Sequence, residues 1–422
     1  MNSRWIPLAL VFLVGLHLPK AFTLLYLLYA VLFWQTRNAP AVAPRRLWPL
    51  LALAVFSVGY AWASLHYGLW TLQGRDLLDL ISMLALPCVG VWLGARLAHY
   101  WTPRQLSWIW LAYGLGALAY VWAVLLLGRD ALSSSPLEIW RQHRDLSIAV
   151  PWGQQEVMNV RSVEQNASFA VAWMFPGLWL LLRKEQSRLA WLMLAAGLLG
   201  LLAVLAFHGR IGLLVALLSL VPLAWASASE RQAARQPLQF TAWAFLGLVG
   251  FLLLSVFSLL WGRGDITSRL LARIYDERLD RVLAFFIHIP DTLWGGQRLS
   301  FQYFEQQRQL WIGFDASAGD MLHSVPFDLV VRAGLIPAVA ILVAVVPLLC
   351  CAFRQLGHLL SDLSSRGYAL IAAGFLIVLT VQWLFQPLIY ADGLLFYFGF
   401  FGLGALAFSP AVMPLWIESD EL

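Results

Sequence analysis

Residues 324–346 read SVPFDLVVRAGLIPAVAILVAVV, an apolar run whose only charges are Asp328 and Arg332. Its 23 residues exceed the ~20 that a helix needs to cross the hydrocarbon core of a bilayer. Immediately before it lies the longest polar interval of the chain, residues 262–325. That interval opens on GRGDITSRLLARIYDERLDRVL (262–283), passes through WGGQ (294–297) and runs to His323. Loops longer than ~15 residues are uncommon without a purpose, so the chemistry is expected here.

Outward from this junction the pattern repeats. Apolar runs fall at about 5–18, 21–34, 47–66, 77–95, 106–127, 167–182, 189–207, 211–228, 239–261, 326–352, 367–388 and 394–415. The chain is 61% hydrophobic and 12% charged, whereas a soluble domain is about half apolar and a quarter charged. The expected fold is therefore an all-α polytopic membrane protein of about twelve transmembrane helices. Residues 1–261 would hold the first nine, with a loop at about 128–166. Residues 262–325 would form the large loop, carrying amphipathic helices. Residues 326–422 would hold the last three and a tail. The first two runs are shorter than an upright span, and His17-Leu18-Pro19-Lys20 separates them. Arg4 followed by residues 5–18 has the look of a signal-peptide core, but no small-x-small cleavage site follows, so it reads as a retained span.

Charge sets the orientation. With the N-terminus inside, the inner loops and helix ends hold Arg4, Arg37, Arg45, Arg46, Arg96, Arg104, Arg183, Lys184, Arg188, Arg231, Arg235, Arg354 and Arg366. The short outer loops hold Lys20, Arg75 and Arg210. Thirteen against three follows the positive-inside rule and puts both long loops outside, with the C-terminal tail inside. The net charge of +5 is no sign of nucleic-acid binding, because residues 262–325 carry seven Arg against eight Asp plus Glu. Cys88, Cys350 and Cys351 all sit in apolar runs, which argues against a disulfide framework or a thiolate metal site. If the organism is a bacterium, nucleotide triphosphates are missing on the outer side. An enzyme there must draw its energy from the substrate, for instance a lipid-linked pyrophosphate.

A few residues stand out against this background. His323 is followed by Ser324, a good N-cap, and Pro326, which a first helical turn tolerates. That sets His323 just ahead of a helix start, where the dipole disfavours imidazolium and favours anions; the bland reading is an interfacial histidine bonded to loop backbone. Arg210 occupies a tight outer turn beside His208 and Gly209, and either snorkels to headgroups or offers a planar fork to pyrophosphate. Arg269, Arg273, Asp276, Glu277, Asp280 and Arg281 recur at helical spacing as an ion-pair ladder, from which Arg281 is singled out because it leads into HIPDTLWGG. Arg332 lies inside the tenth run, within reach of Asp328 at i, i+4. Asp392, between the last two runs, is a further candidate, and Asp79 a weaker one. Asn166-Ala167-Ser168 reads as a chance match to a glycosylation sequon.

HSVPFDLVVRAG (323–334) resembles the pattern of bacterial O-antigen ligases, in which a His and a small polar residue precede a Gly after nine intervening positions. Pro337 stands where that family often has Gly, Thr or Tyr. Arg210 in HGRIGLL is similar to the family's Arg after a short outer turn, with Gly209 where Ser is common. Arg281 in LDRVLAFFIHIPDTLWGG resembles the family's Arg, amphipathic helix, Pro and Gly-rich turn. The resemblance covers about residues 165–400. It implies a GT-C-like glycosyltransferase in the bacterial inner membrane, with both termini cytoplasmic and a periplasmic active site. It further implies transfer of O-antigen from undecaprenyl pyrophosphate to a sugar hydroxyl of lipid A–core, with no metal or other cofactor. In that scheme Arg210 and Arg281 hold the pyrophosphate, His323 is the general base, and Arg332 and Asp392 support the site. The partners are the lipid-linked donor, the lipid A–core acceptor and membrane lipids, with no nucleic acid. An O-antigen polymerase of the same superfamily is the nearest alternative. A polysaccharide or lipid transporter is the alternative from another class, though transporters carry mid-membrane charges and paired broken helices.

Overall fold

A computed structural model describes residues 5–17, 21–38, 48–66, 74–127, 147–149, 157–206, 210–231, 293, 333–385 and 393–408. These residues are helical apart from one small antiparallel ribbon. In chain order the helices are α1 (Trp5–Gly15), α2 (Ala21–Thr36), α3 (Trp48–His66), α4 (Gly74–Tyr100) and α5 (Pro103–Leu127). The ribbon pairs β1 (Ser147–Ala149) with β2 (Val157–Asn159). Then come α6 (Val160–Val171), α7 (Met174–Leu182), α8 (Ser187–Ala206), α9 (Arg210–Leu218), α10 (Leu220–Arg231), α11 (Leu335–Ser361), α12 (Arg366–Phe385) and α13 (Gly393–Ala407). Eleven of the twelve apolar runs overlap these helices in whole or in part; the run at 239–261 lies outside the described residues.

Four helices contain stretches long and apolar enough to cross a membrane: Pro103–Ala123, Ser187–Leu205, Leu335–Ser361 and Arg366–Leu384. Five further apolar helices are shorter. The architecture is thus compatible with a helical membrane protein. Leu51, Trp62, Leu182, Trp191, Leu202 and Val346 stand exposed on the outside of the bundle, where a lipid phase would receive them without the cost that water imposes.

Proline accounts for the interruptions. Residues 160–182 are one helical rod that tightens at Trp173, whose N–H bonds to Ala170 O at 3.0 Å. Three residues on, Pro176 has no N–H for Ala172 O. The rod 210–231 breaks in the same way at Ser219, where Pro222 cannot serve Leu218 O. Ser219 Oγ there donates to Ala216 O at 2.6 Å.

Two differences from the sequence reading bear on function. The helix that follows the 128–166 loop begins at Val160 rather than near 167. Its first turns, VRSVEQ, are too polar for a hydropathy run to include. The run at 326–352 is also not one uninterrupted helix. Ala333 is helical, Gly334 is not, with φ 96° and ψ 167°, and α11 starts at Leu335. Pro337 leaves Ala333 O without an i+4 donor, and only glycine enters that backbone region freely. Ser324, expected as the cap of this helix, lies outside the described residues, and the position before α11 is Gly334 with no side-chain cap.

Packing closes the bundle at its glycines. A Cβ on Gly94 of α4 would lie 2.2 Å from Phe401 O of α13, and one on Gly404 would lie 2.3 Å from Val91 O of α4. The two backbones touch, as small-residue helix pairs in membranes do. Next to them an aromatic cluster fills the centre. Tyr113 of α5 stacks on Phe398 of α13, with centroids 4.5 Å apart and planes 9° apart. Phe169 of α6 meets Tyr113 edge-on at 5.1 Å. Helix α12 is the innermost span, 89% of it buried, against 39% for α11.

One end of the bundle gathers arginines and backbone carbonyls. Arg96 donates to Thr36 O at 2.6 Å and to Arg37 O at 3.0 Å. Arg104 lies over Tyr368. Arg366 is 1% exposed, pairs with Glu185 at 3.3 Å, donates from Nε to Leu360 O and rests over Trp179. In the same turn the Asp362 carboxyl is held below the usual carboxylate range by bonds from the Ser365 hydroxyl, then the Ser364 hydroxyl and N–H. These contacts bring four of the thirteen basic residues of the inner set (Arg37, Arg96, Arg104 and Arg366) to one end of the molecule.

Candidate functional site

The opposite end holds the C-termini of α1, α5 and α12 and the N-termini of α6, α9, α11 and α13. Arg210 is the first residue of α9. A cation at a helix N-terminus works against the dipole, so local helix energetics give no reason for an arginine there. An anion held between the guanidinium and the free N–H groups would supply one. Helix α9 packs against α6, α8 and α12, so this helix borders the most buried span. The side chain of Arg210 lies outside the description, as do Arg281, His323, Arg332 and Asp392 entirely. Their neighbours are described: Ala333, next to Arg332, is fully buried, and Gly393, next to Asp392, opens α13.

One contact ties the polar interval to the bundle. Leu293 O accepts the N–H of Ile336 at 3.0 Å. Ile336 is the second residue of α11, so this is one of the N–H groups that a helix start leaves without an internal partner. The chain just before Trp294-Gly295-Gly296 therefore reaches the N-terminus of α11. Pro337 sits in the first turn, where its missing N–H costs nothing.

The sequence reading did not find the polar core at this end. Gln382, fully buried in the last turns of α12, donates from Nε2 to Gln165 O of α6 at 2.8 Å. Gln165 is 3% exposed, Asn166 1% and Ser168 0%. Gln165 Oε1, Asn166 Nδ2, Gln382 Oε1 and Trp383 Nε1 are buried and make no hydrogen bond among the described residues. His17, at the end of α1, lies 5.4 Å from the Tyr120 ring of α5. Asn166, read as a chance match to a sequon, is enclosed in the bundle. The signal that could have found these amides was Gln382 inside the run VQWLF and the QNAS edge of its partner run. Neither has a periodicity that marks it.

A small cavity lined by Ser107, Trp110 and Gln355 lies at the arginine-rich end, away from this core. No family model matches the chain, and no curated protein is significantly similar to it.

Proposed function

We propose that this chain is an O-antigen ligase, a glycosyltransferase that moves an assembled O-antigen from undecaprenyl pyrophosphate to a hydroxyl of a lipid A–core sugar at the periplasmic face of the inner membrane. The observation that carries this reading is the order of three motifs, Arg210 in HGRIGLL, Arg281 in LDRVLAFFIHIPDTLWGG and His323 in HSVPFDLVVRAG. Supporting it are the helix start at Arg210, at the end away from the arginine cluster, and the Leu293–Ile336 bond, which joins one residue between Arg281 and His323 to α11.

In the proposed reaction His323 takes the proton of the acceptor hydroxyl as that oxygen attacks the anomeric carbon. The bond from the anomeric carbon to the pyrophosphate oxygen breaks, and its electron pair leaves with undecaprenyl pyrophosphate. Arg210 and Arg281 neutralise the charge that gathers on the leaving group, with Arg332 and Asp392 in support. A polymerase would run the same chemistry with a growing lipid-linked glycan as acceptor.

The test is the lipopolysaccharide of a deletion strain. Loss of this chain is expected to leave bare lipid A–core while full-length glycan accumulates on the lipid carrier. Short, single-unit O-antigen still attached to core would instead identify a polymerase. An unchanged banding pattern would overturn both.

A further inference from the structure

The turn between α7 and α8 reads RKEQSR (183–188), three cations around one acid. Helix α7 ends there in a Schellman arrangement: the Glu185 N–H bonds to Leu180 O and the Lys184 N–H to Leu181 O, each at 3.0 Å. Lys184 holds the left-handed position of that motif, with φ 58°, where glycine is the least costly residue. Two contacts bind the turn to the segment that leads into α12. Glu185 Oε1 meets Arg366 Nη1 at 3.3 Å, and Gln186 donates from Nε2 to Ser364 O at 3.0 Å. The one carboxylate of the turn is therefore committed to a guanidinium that is 1% exposed. Arg183, Lys184 and Arg188 all stand exposed. Asp362, the acid of the adjoining turn, accepts from the Ser364 and Ser365 hydroxyls and offsets one of these three charges at most.

The spans set the depth of this surface. The stretches Ser187–Leu205 and Arg366–Leu384 both begin at its level, tied together by the Gln186–Ser364 bond. Each has 19 residues, and a helix of that length rises roughly 28 Å, close to the thickness of a hydrocarbon core. A bilayer that covers them has its headgroups at 183–188. Leu182 and Trp191, 76% and 63% exposed, flank the charges in sequence, and an aromatic border suits that depth. The C-terminus of α7 gives Arg183 and Lys184 a local reason to be cationic. Arg188 has none, since it lies in the first turn of α8, where the dipole opposes a cation and favours an anion. We propose that Arg183, Lys184 and Arg188 form a docking surface for anionic phospholipid headgroups, which anchors the α7–α8 turn at the arginine-rich end of the bundle. The proposal is independent of the reaction that the chain performs.

The experiment titrates the purified full-length chain, in neutral detergent, with phosphatidylglycerol or with phosphatidylcholine, and counts bound lipid by native mass spectrometry. Wild type is expected to retain phosphatidylglycerol in preference to phosphatidylcholine, and to lose that preference as salt rises. A cation beside an anionic surface is worth about fivefold in affinity. Arg183→Gln, Lys184→Gly and Arg188→Gln should each weaken phosphatidylglycerol binding by about that factor. Lys184→Gly is the decisive variant, because glycine suits the left-handed backbone and should hold the melting temperature level while the affinity falls. Glu185→Gln, which breaks the pair with Arg366, is expected to lower the melting temperature and leave lipid affinity undiminished. Wild-type affinity in Lys184→Gly and Arg188→Gln, or equal retention of the two lipids by wild type, would overturn the proposal. Displacement of phosphatidylglycerol by soluble glycerol phosphate would overturn it as well, as the mark of a site for small anions. A loss in Glu185→Gln as large as in the cation variants would do the same, because the shape of the turn rather than its charge would then hold the lipid.

Discussion

In the proposed reaction His323 must be neutral to take a proton from a sugar hydroxyl. His323→Ala is expected to insert normally and to bind the lipid-linked donor, yet to transfer glycan about 10²–10⁴-fold more slowly. Asn and Gln are expected not to rescue it, since an amide takes up no proton at neutral pH, and His288→Ala should be close to wild type. Loss of donor binding along with turnover would make His323 a binding residue. Near-normal transfer would move the base to Asp315, Asp320 or Asp392. The arginines divide in the same way. Arg210→Ala and Arg281→Ala are each expected to lose most transfer, with little recovered by Lys, which lacks the bidentate fork. Arg269→Ala, one rung of the expected ion-pair ladder worth about 0.3–0.5 kcal/mol, should cost far less. Equal losses at all three positions would make the ladder itself the site.

Helix starts are the elements on which the proposed chemistry depends. Helix α11 begins after Gly334 because Pro337 interrupts the ladder and only glycine adopts φ 96° with ψ 167° at little cost. Gly334→Ala is therefore expected to destabilise the chain by about 1–3 kcal/mol, read as a lower melting temperature, and to reduce transfer by shifting the segment that carries His323. An unchanged melting temperature would mean that the start of α11 relaxes freely, and the joint would lose its importance. The existence of the helices was legible in the sequence because lipid-length apolar runs leave few alternatives. Their true ends were not. The polar first turns of α6 fall below any hydropathy threshold, and the break at Gly334 needs φ and Pro337 considered together. The amide core was the least legible part. Gln165 and Gln382 meet across 217 positions of chain, and one amide in an apolar run barely alters an average over that run.

At the scale of the whole molecule, the contacts of Arg96, Arg104 and Arg366 gather basic residues at one end. The opposite end has the start of α9, the start of α11 with Leu293 bonded to it, and the buried amides. The proposed substrates are part glycan and part lipid. The central claim is that the chain itself joins the two. The direct measurement is the purified protein mixed with undecaprenyl-pyrophosphate-linked O-antigen and lipid A–core, without nucleotide and in the presence of chelator, and followed by gel mobility. The expected result is a core band shifted upward by the full glycan, with undecaprenyl pyrophosphate released in equal amount. Elongation of the lipid-linked glycan with the core left bare, or no product from intact donor and folded protein, would contradict it.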